Sequence, residues 1–234
     1  MSVIYNPRVQ TSNLIGCYDP SNAKSYPGSG TTVTDLRGIM GNGTMSGFSV
    51  TSNFFYNGSS ATTSGITVPL TNFSKVAGSI DIWAKPDTWV DSNGLFINRS
   101  DNTANAVDWL WIGAYGSGSA FYFRLGNGST CCSNDNYVGS WSSTHPTGVW
   151  GHYVCTWESP GTSYFYFNGN LMNSLSISGV PNTNPSSTGM IGNGHSSTNS
   201  AWRGYIGPVK FYNKQLSASE VKDNFNAYRL RFGI

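Results

Sequence analysis

Charge is scarce in this 234-residue chain: Asp, Glu, Lys and Arg together make up 10% of it, well under the roughly 25% of an average globular domain. Only two glutamates occur, Glu158 and Glu220. Thirteen basic residues against eleven acidic ones leave a net charge of +2. The basic residues are scattered rather than gathered into a stripe, which excludes the electrostatic footprint of a nucleic-acid partner. No apolar run approaches the ~18 residues of a membrane-spanning helix. Residues Met1 to Gln10 carry neither a basic leader nor an apolar signal core, so the expectation is a cytoplasmically made product without a signal peptide. Four cysteines, Cys17, Cys131, Cys132 and Cys155, are too few for a disulfide scaffold at this length and include no CxxC spacing for zinc. Reduced thiols are expected, with the redox state of the neighbouring Cys131 and Cys132 left open.

What is present argues for dense β-structure. Aromatics reach 14%, with 28 Gly and 10 Pro, which excludes a disordered chain. Turn residues recur about every eight to twelve positions between short aromatic or β-branched runs, the pattern of an all-β, two-sheet antiparallel sandwich. A single domain over residues 1–234 is expected, long enough to bury its own core. Ile80, Ile82 and Ala84 alternate onto one face, as do Phe121, Phe123 and Leu125. Tyr164 to Phe167 runs into Asn168-Gly169, which suits the positive φ angles of a type I′ hairpin turn. With Trp150 to Trp157 before it, this predicts three adjacent antiparallel strands at the centre of the sandwich. Residues 181–200 read as one long irregular loop. A short helix over about 217–228 is marked by a capping box, Ser217 with Glu220, and a hydrophobic staple, Leu216 with Val221. Val221, Phe225 and Tyr228 give it one apolar stripe to lay on a sheet. Residues 229–234 follow as a tail.

Several segments, in order, resemble the laminin G-like, concanavalin A-like lectin/glucanase superfamily domain of phage virion structural proteins, including those of cyanophages. They are Leu14 to Asp19 with Asn22 to Gly28 and Asp35-Leu36; Phe55 to Ser59; Ser79 to Pro86; Trp150 to Val154; the Asn168-Gly169 hairpin; and Arg203 to Ile206 leading to Phe211 through Ser217. One departure is Gly207-Pro208, where many relatives carry an acidic pair. The resemblance implies a jelly-roll sandwich on a virion surface, made in the bacterial host cytoplasm. Its implied partners are phage capsid or fibre proteins, further copies of itself, and host-surface or environmental polysaccharide. A non-enzymatic capsid decoration or fibre subunit is the first expectation, and a lectin or receptor-binding adhesin the alternative.

Chemistry finds little support. Glycosidases need paired carboxylates, yet Glu220 is accounted for by the capping box and Glu158 sits beside a Pro-Gly turn. Asp81 points away from Ile80 and Ile82 and is expected to be a solvated or hydrogen-bonded strand residue. His145, His152 and His195 lack the spacing of a metal pair. Calcium, which the resemblance allows, would have to use dispersed residues such as Asp87 with Asp91, or Asp101-Asn102 with Asp108; no cofactor is assigned. Trp109, Trp111 and Tyr115 share one strand face and are expected in the core. Binding candidates are aromatic and histidine residues in polar loops: Trp141 first, then His145, Trp89, His195 and Trp202.

Overall fold

A computed structural model describes residues 7–58, 64–89, 93–99, 108–115, 120–126, 136–138, 146–177, 187–193 and 201–234. The strands, numbered in chain order, form two antiparallel sheets. The first sheet contains β1 (Leu14–Tyr18), β4 (Ser49–Thr51), β5 (Phe54–Asn57), β7 (Ala77–Pro86), β12 (Gly151–Glu158), β13 (Gly161–Phe167), β14 (Asn170–Ile177) and β16 (Gly204–Tyr212). The second contains β2 (Thr32–Val33), β3 (Gly43–Ser46), β6 (Gly65–Pro69), β8 (Gly94–Arg99), β9 (Asp108–Tyr115), β10 (Ala120–Leu125), β11 (Asn136–Val138) and β15 (Thr188–Ile191). The first runs β14-β13-β12-β7-β16-β5-β4, with β1 also on β16; the second runs β11-β10-β9-β8-β15-β6-β3-β2. Neighbours in space are often remote in sequence, as a jelly-roll requires.

Alternation decides what fills the space between the sheets. Ile80, Ile82 and Ala84 of β7, Tyr153, Cys155 and Trp157 of β12, and Val209 and Phe211 of β16 face it from one side. Leu110, Ile112 and Ala114 of β9 and Phe121, Phe123 and Leu125 of β10 face it from the other, all in one buried cluster. The Trp109–Trp111–Tyr115 face is therefore the outer one, and the expectation that it lines the inter-sheet core is corrected. Strand β9 is apolar on both faces, so alternation alone names no inward side; Trp111 is nonetheless buried.

The Asn168-Gly169 hairpin forms as expected, with φ of 49° and 73°. It joins β13 to β14 beside β12, but this trio ends at the sheet's edge, and β14 is mostly exposed. The centre belongs to β7 and β16. Residues 181–200 also depart from the loop reading, since Thr188–Ile191 pairs with both β6 and β8. Gly189 and the single buried Ile191 gave that strand too weak a pattern to see.

The outer face of the first sheet is roofed by the chain's C-terminus. Helix α1 (Ala218–Tyr228) starts on the expected box: Ser217 Oγ accepts from the Glu220 N–H and Glu220 Oε2 accepts from the Ser217 N–H at 2.9 Å. Leu216 and Val221 then pack on Leu14, Val154, Tyr166 and Tyr212. Residues Arg229–Phe232 are a 3₁₀ turn, not a loose tail, because Phe232 returns to stack on Trp83. Space for that ring explains Gly207-Pro208. A Cβ at Gly207 would approach Phe232 Cζ at 3.1 Å. The register shift between Ile206 and Val209 is a bulge, where a proline removes no ladder hydrogen bond.

Candidate functional site

Three of the loop residues singled out from sequence, Trp141, His145 and His195, lie outside the described residues. The other two meet each other. Trp202 is fully buried, and Trp89, partly buried, packs edge-on against it at 5.5 Å. The Trp202 indole donates to the Tyr205 carbonyl at 3.3 Å. These two indoles close one end of the core, so Trp202 is a core residue and presents no face to solvent. Of the residues considered for calcium, Asp91, Asp101 and Asn102 lie outside the described residues. Among the described residues no group of three or more His, Cys, Asp or Glu is placed to hold a metal.

A different aromatic surface emerges from strand register. Tyr56 of β5 pairs with Tyr205 of β16, and Tyr205 pairs with Lys85 of β7. Because Gly151 pairs with Ala84, Trp150 falls next in the same row. Four half-buried side chains thus cross four strands on the outer face, beyond the edge of the helical roof. The Tyr56 and Tyr205 rings are 4.6 Å apart. Lys85 Nζ lies 4.2 Å from the Tyr205 centroid and 5.9 Å from that of Trp150, a cation–π arrangement that holds the ammonium against the rings. Phe54 and Phe232 back Trp150 at 4.5 and 4.6 Å.

Polar groups rim this row. The Tyr56 hydroxyl donates to the exposed Asp87 carboxylate, whose hydrogen bond and charge raise the phenol's pKa. On the other flank, Arg231 makes two hydrogen bonds of 3.1 Å to Asp19 while lying over Phe54 and Phe232. Burial pushes the Asp19 carboxyl up, but the Arg231 hydrogen bonds and charge, with Ser21, outweigh it and hold the pKa below its ordinary value. The result is an aromatic shelf with a carboxylate, a hydroxyl and an ammonium at its margin. Such a surface stacks on the C–H face of a ring and hydrogen-bonds its hydroxyls. Sequence reasoning missed it because the four residues are drawn from four strands. The cross-strand pairing that aligns them has no local signal.

Asp81 does point to the face opposite Ile80, but the roof makes that face dry, and the expectation of a solvated residue is replaced by burial. Its Oδ1 accepts from Lys210 Nζ at 2.9 Å and its Oδ2 from Asn224 Nδ2 at 2.8 Å, with all three side chains inaccessible to solvent. His152 Nε2 stands 3.1 Å from Oδ2, and its ring stacks on Trp83. Burial alone would raise the Asp81 pKa, yet the Lys210 charge and then His152 overcome it and hold the carboxyl far below the usual range. Burial would lower the Lys210 pKa, but Asp81 drives it above its ordinary value. Glu158 is exposed at the end of β12, and Glu220 is engaged by Ser217 and Lys214.

Residues 58–222 match the family described as the Concanavalin A-like lectin/glucanases superfamily. No curated protein matches the sequence. Among solved structures, the chain is similar to Trypanosoma rangeli sialidase in complex with sialic acid (TM-score 0.71, 16% identity), with 95% of this chain covering 34% of that one. It therefore spans about a third of the sialidase chain's length. It is also similar to domain 4 of AbnA, an extracellular arabinanase from Geobacillus stearothermophilus, in complex with arabinotriose. Here the TM-score is 0.66 at 20% identity over 92% of this chain and 99% of that domain. The binding domain of botulinum neurotoxin serotype C1 aligns with a TM-score of 0.65 at 17% identity, over 92% of this chain and 52% of that one. At these identities the likeness shows a shared fold.

Proposed function

We propose that this chain, which belongs to the concanavalin A-like lectin/glucanases superfamily, is a non-catalytic module that binds polysaccharide through the Tyr56–Tyr205–Lys85–Trp150 row. The row carries the reading. It places two phenols and an indole side by side, half open to solvent, with Asp87 at its rim. The arabinotriose held by the arabinanase domain and the sialic acid held by the sialidase support a sugar as the ligand. The absence of chemistry follows from the carboxylates: neither glutamate has an acidic partner across an open cleft, and Asp81 is sealed under the helix. A glycan array on the purified chain, with and without calcium, is expected to give binding that Trp150→Ala and Tyr205→Ala weaken together. Silence under both conditions overturns the reading. Release of reducing sugar, lost in Glu158→Gln, overturns the non-catalytic part of it.

The finer reading is that the module stands on a phage particle, as a capsid decoration or fibre subunit docked to virion proteins or to copies of itself. Its support is the ordered set of segments resembling phage structural proteins, now seen as β1, β5, β7, β12 and β16 of one sandwich. Cryo-electron microscopy and mass spectrometry of intact virions are expected to find it at a fixed copy number on the outer surface. Its absence from purified particles overturns this reading and leaves the sugar-binding one standing.

A further inference from the structure

The buried cluster beneath α1 holds more chemistry than seating a helix needs. Lys210 lies on β16, Asn224 on the inner face of α1, and Asp81 on β7 between them. The carboxylate spans the other two side chains: one oxygen is 2.9 Å from the Lys210 Nζ, the other 2.8 Å from the Asn224 Nδ2. The Asn224 Oδ1 in turn accepts the Gln10 backbone N–H at 2.7 Å. A nucleophilic amine, an amide electrophile, a carboxyl touching both the attacking and the leaving nitrogen, and an N–H on the carbonyl oxygen are thus assembled in one dry site. The Tyr228 ring covers the Lys210 ammonium at 4.6 Å, and the Tyr212 hydroxyl lies 3.0 Å from the leaving nitrogen.

We propose that Lys210 and Asn224 condense to an amide cross-link that fastens the C-terminal helix covalently to the sheet, with Asp81 as the catalytic proton carrier. The Lys210 ammonium gives one proton to Asp81 Oδ1, and the freed amine attacks the Asn224 Cγ. The carbonyl electron pair moves onto Oδ1, where the Gln10 N–H stabilises the developing charge. Asp81 then passes its proton through Oδ2 to Nδ2 and takes a second proton from the attacking nitrogen. The tetrahedral adduct collapses, the Cγ–Nδ2 bond breaks, and ammonia departs with that second proton as ammonium, returning Asp81 to carboxylate. The net change converts an ammonium and a carboxamide into a secondary amide and an ammonium ion, with no oxidation or reduction. The folded structure supplies the rate: it holds nucleophile and electrophile on one carboxylate, where proximity replaces a bimolecular encounter, and it strips water from the lysine that must become an amine. The bond would close the connection between β16 and α1 into a covalent loop. The roof over the first sheet then stays in place independently of the rest of the fold.

Intact-mass measurement on the folded full-length chain tests this directly. The expected result is a mass lower than the sequence mass by one ammonia, about 17 Da, and a branched proteolytic peptide joining the Lys210 and Asn224 segments. Asn224→Ala and Lys210→Arg are each expected at their full sequence masses. Linear, unmodified peptides carrying Lys210 and Asn224 from the folded wild-type protein overturn the proposal. So does a loss of about 18 Da with the branch on Asp81, which would make the carboxyl, not the amide, the electrophile.

Discussion

The ring of Phe232 lies parallel to the indole of Trp83, with centroids 4.1 Å apart and planes 12° from coplanar. On the same indole, Phe225 stacks at 5.9 Å and 7°. One tryptophan thus receives the two aromatic residues that anchor the helix and the turn following it. Phe232→Ala is expected to cost about 2–4 kcal/mol, the transfer term of a nearly buried ring plus the cavity it leaves. Urea unfolding followed by tryptophan fluorescence reads it. An unchanged midpoint would mean that the 3₁₀ turn contributes nothing to holding the roof.

How far the sequence reveals this molecule depends on whether a feature is local. The Asn168-Gly169 turn and the Ser217–Glu220 box are specified by residues within three positions of each other, and both form as expected. Strand faces were legible where one side is polar, as around Ile80 and Ile82. They were illegible in β9, where Trp111 and Ile112 are both apolar and both buried. The aromatic shelf depends on which strands become neighbours, so Tyr56, Tyr205, Lys85 and Trp150 carry no common local signature. Asp81 was assigned the right face, but the helix that dries that face lies more than a hundred residues away.

The N-terminal cap of α1 gives a smaller and cleaner number. Ser217 satisfies a backbone donor that the helix cannot satisfy for itself. Ser217→Ala is expected to lower stability by about 1 kcal/mol, while Ser217→Asp should retain most of it. Paired denaturation curves decide the matter. Equal losses for both variants would place the effect in the serine's surroundings rather than in its hydrogen bond.

Asp19 links the fold to pH. Its folded pKa is held below the ordinary carboxylate value by Arg231 against the opposing effect of burial. A group with a depressed folded pKa binds its proton more readily when unfolded. Its contribution is therefore full above the unfolded value, near pH 3.9, and is lost as pH falls through the folded one. Asp19→Asn is expected to reduce stability at pH 7 by about 1 kcal/mol, the pair being partly exposed. The difference from wild type should shrink progressively below about pH 4. A gap that stays constant down to pH 2 would mean that Asp19 acts through packing alone.

The aromatic shelf makes the sharpest functional prediction, because its residues differ in what they contribute. Trp150 offers the largest face, and its removal is expected to weaken polysaccharide binding by tenfold or more, about 1.4 kcal/mol. Tyr205 contacts both Tyr56 and Lys85, so Tyr205→Ala should remove its own ring and release the ammonium held over it, with a loss of similar size. Tyr205→Phe keeps the ring and should retain most of the affinity. Leu171→Ser, on the exposed edge strand β14, leaves the shelf untouched and should bind as wild type. Isothermal titration against the best glycan from the array separates these outcomes. If Trp150→Ala and Tyr205→Ala bind like the wild type while the chain still binds sugar, the shelf is not the site and the ligand is held elsewhere on the sandwich.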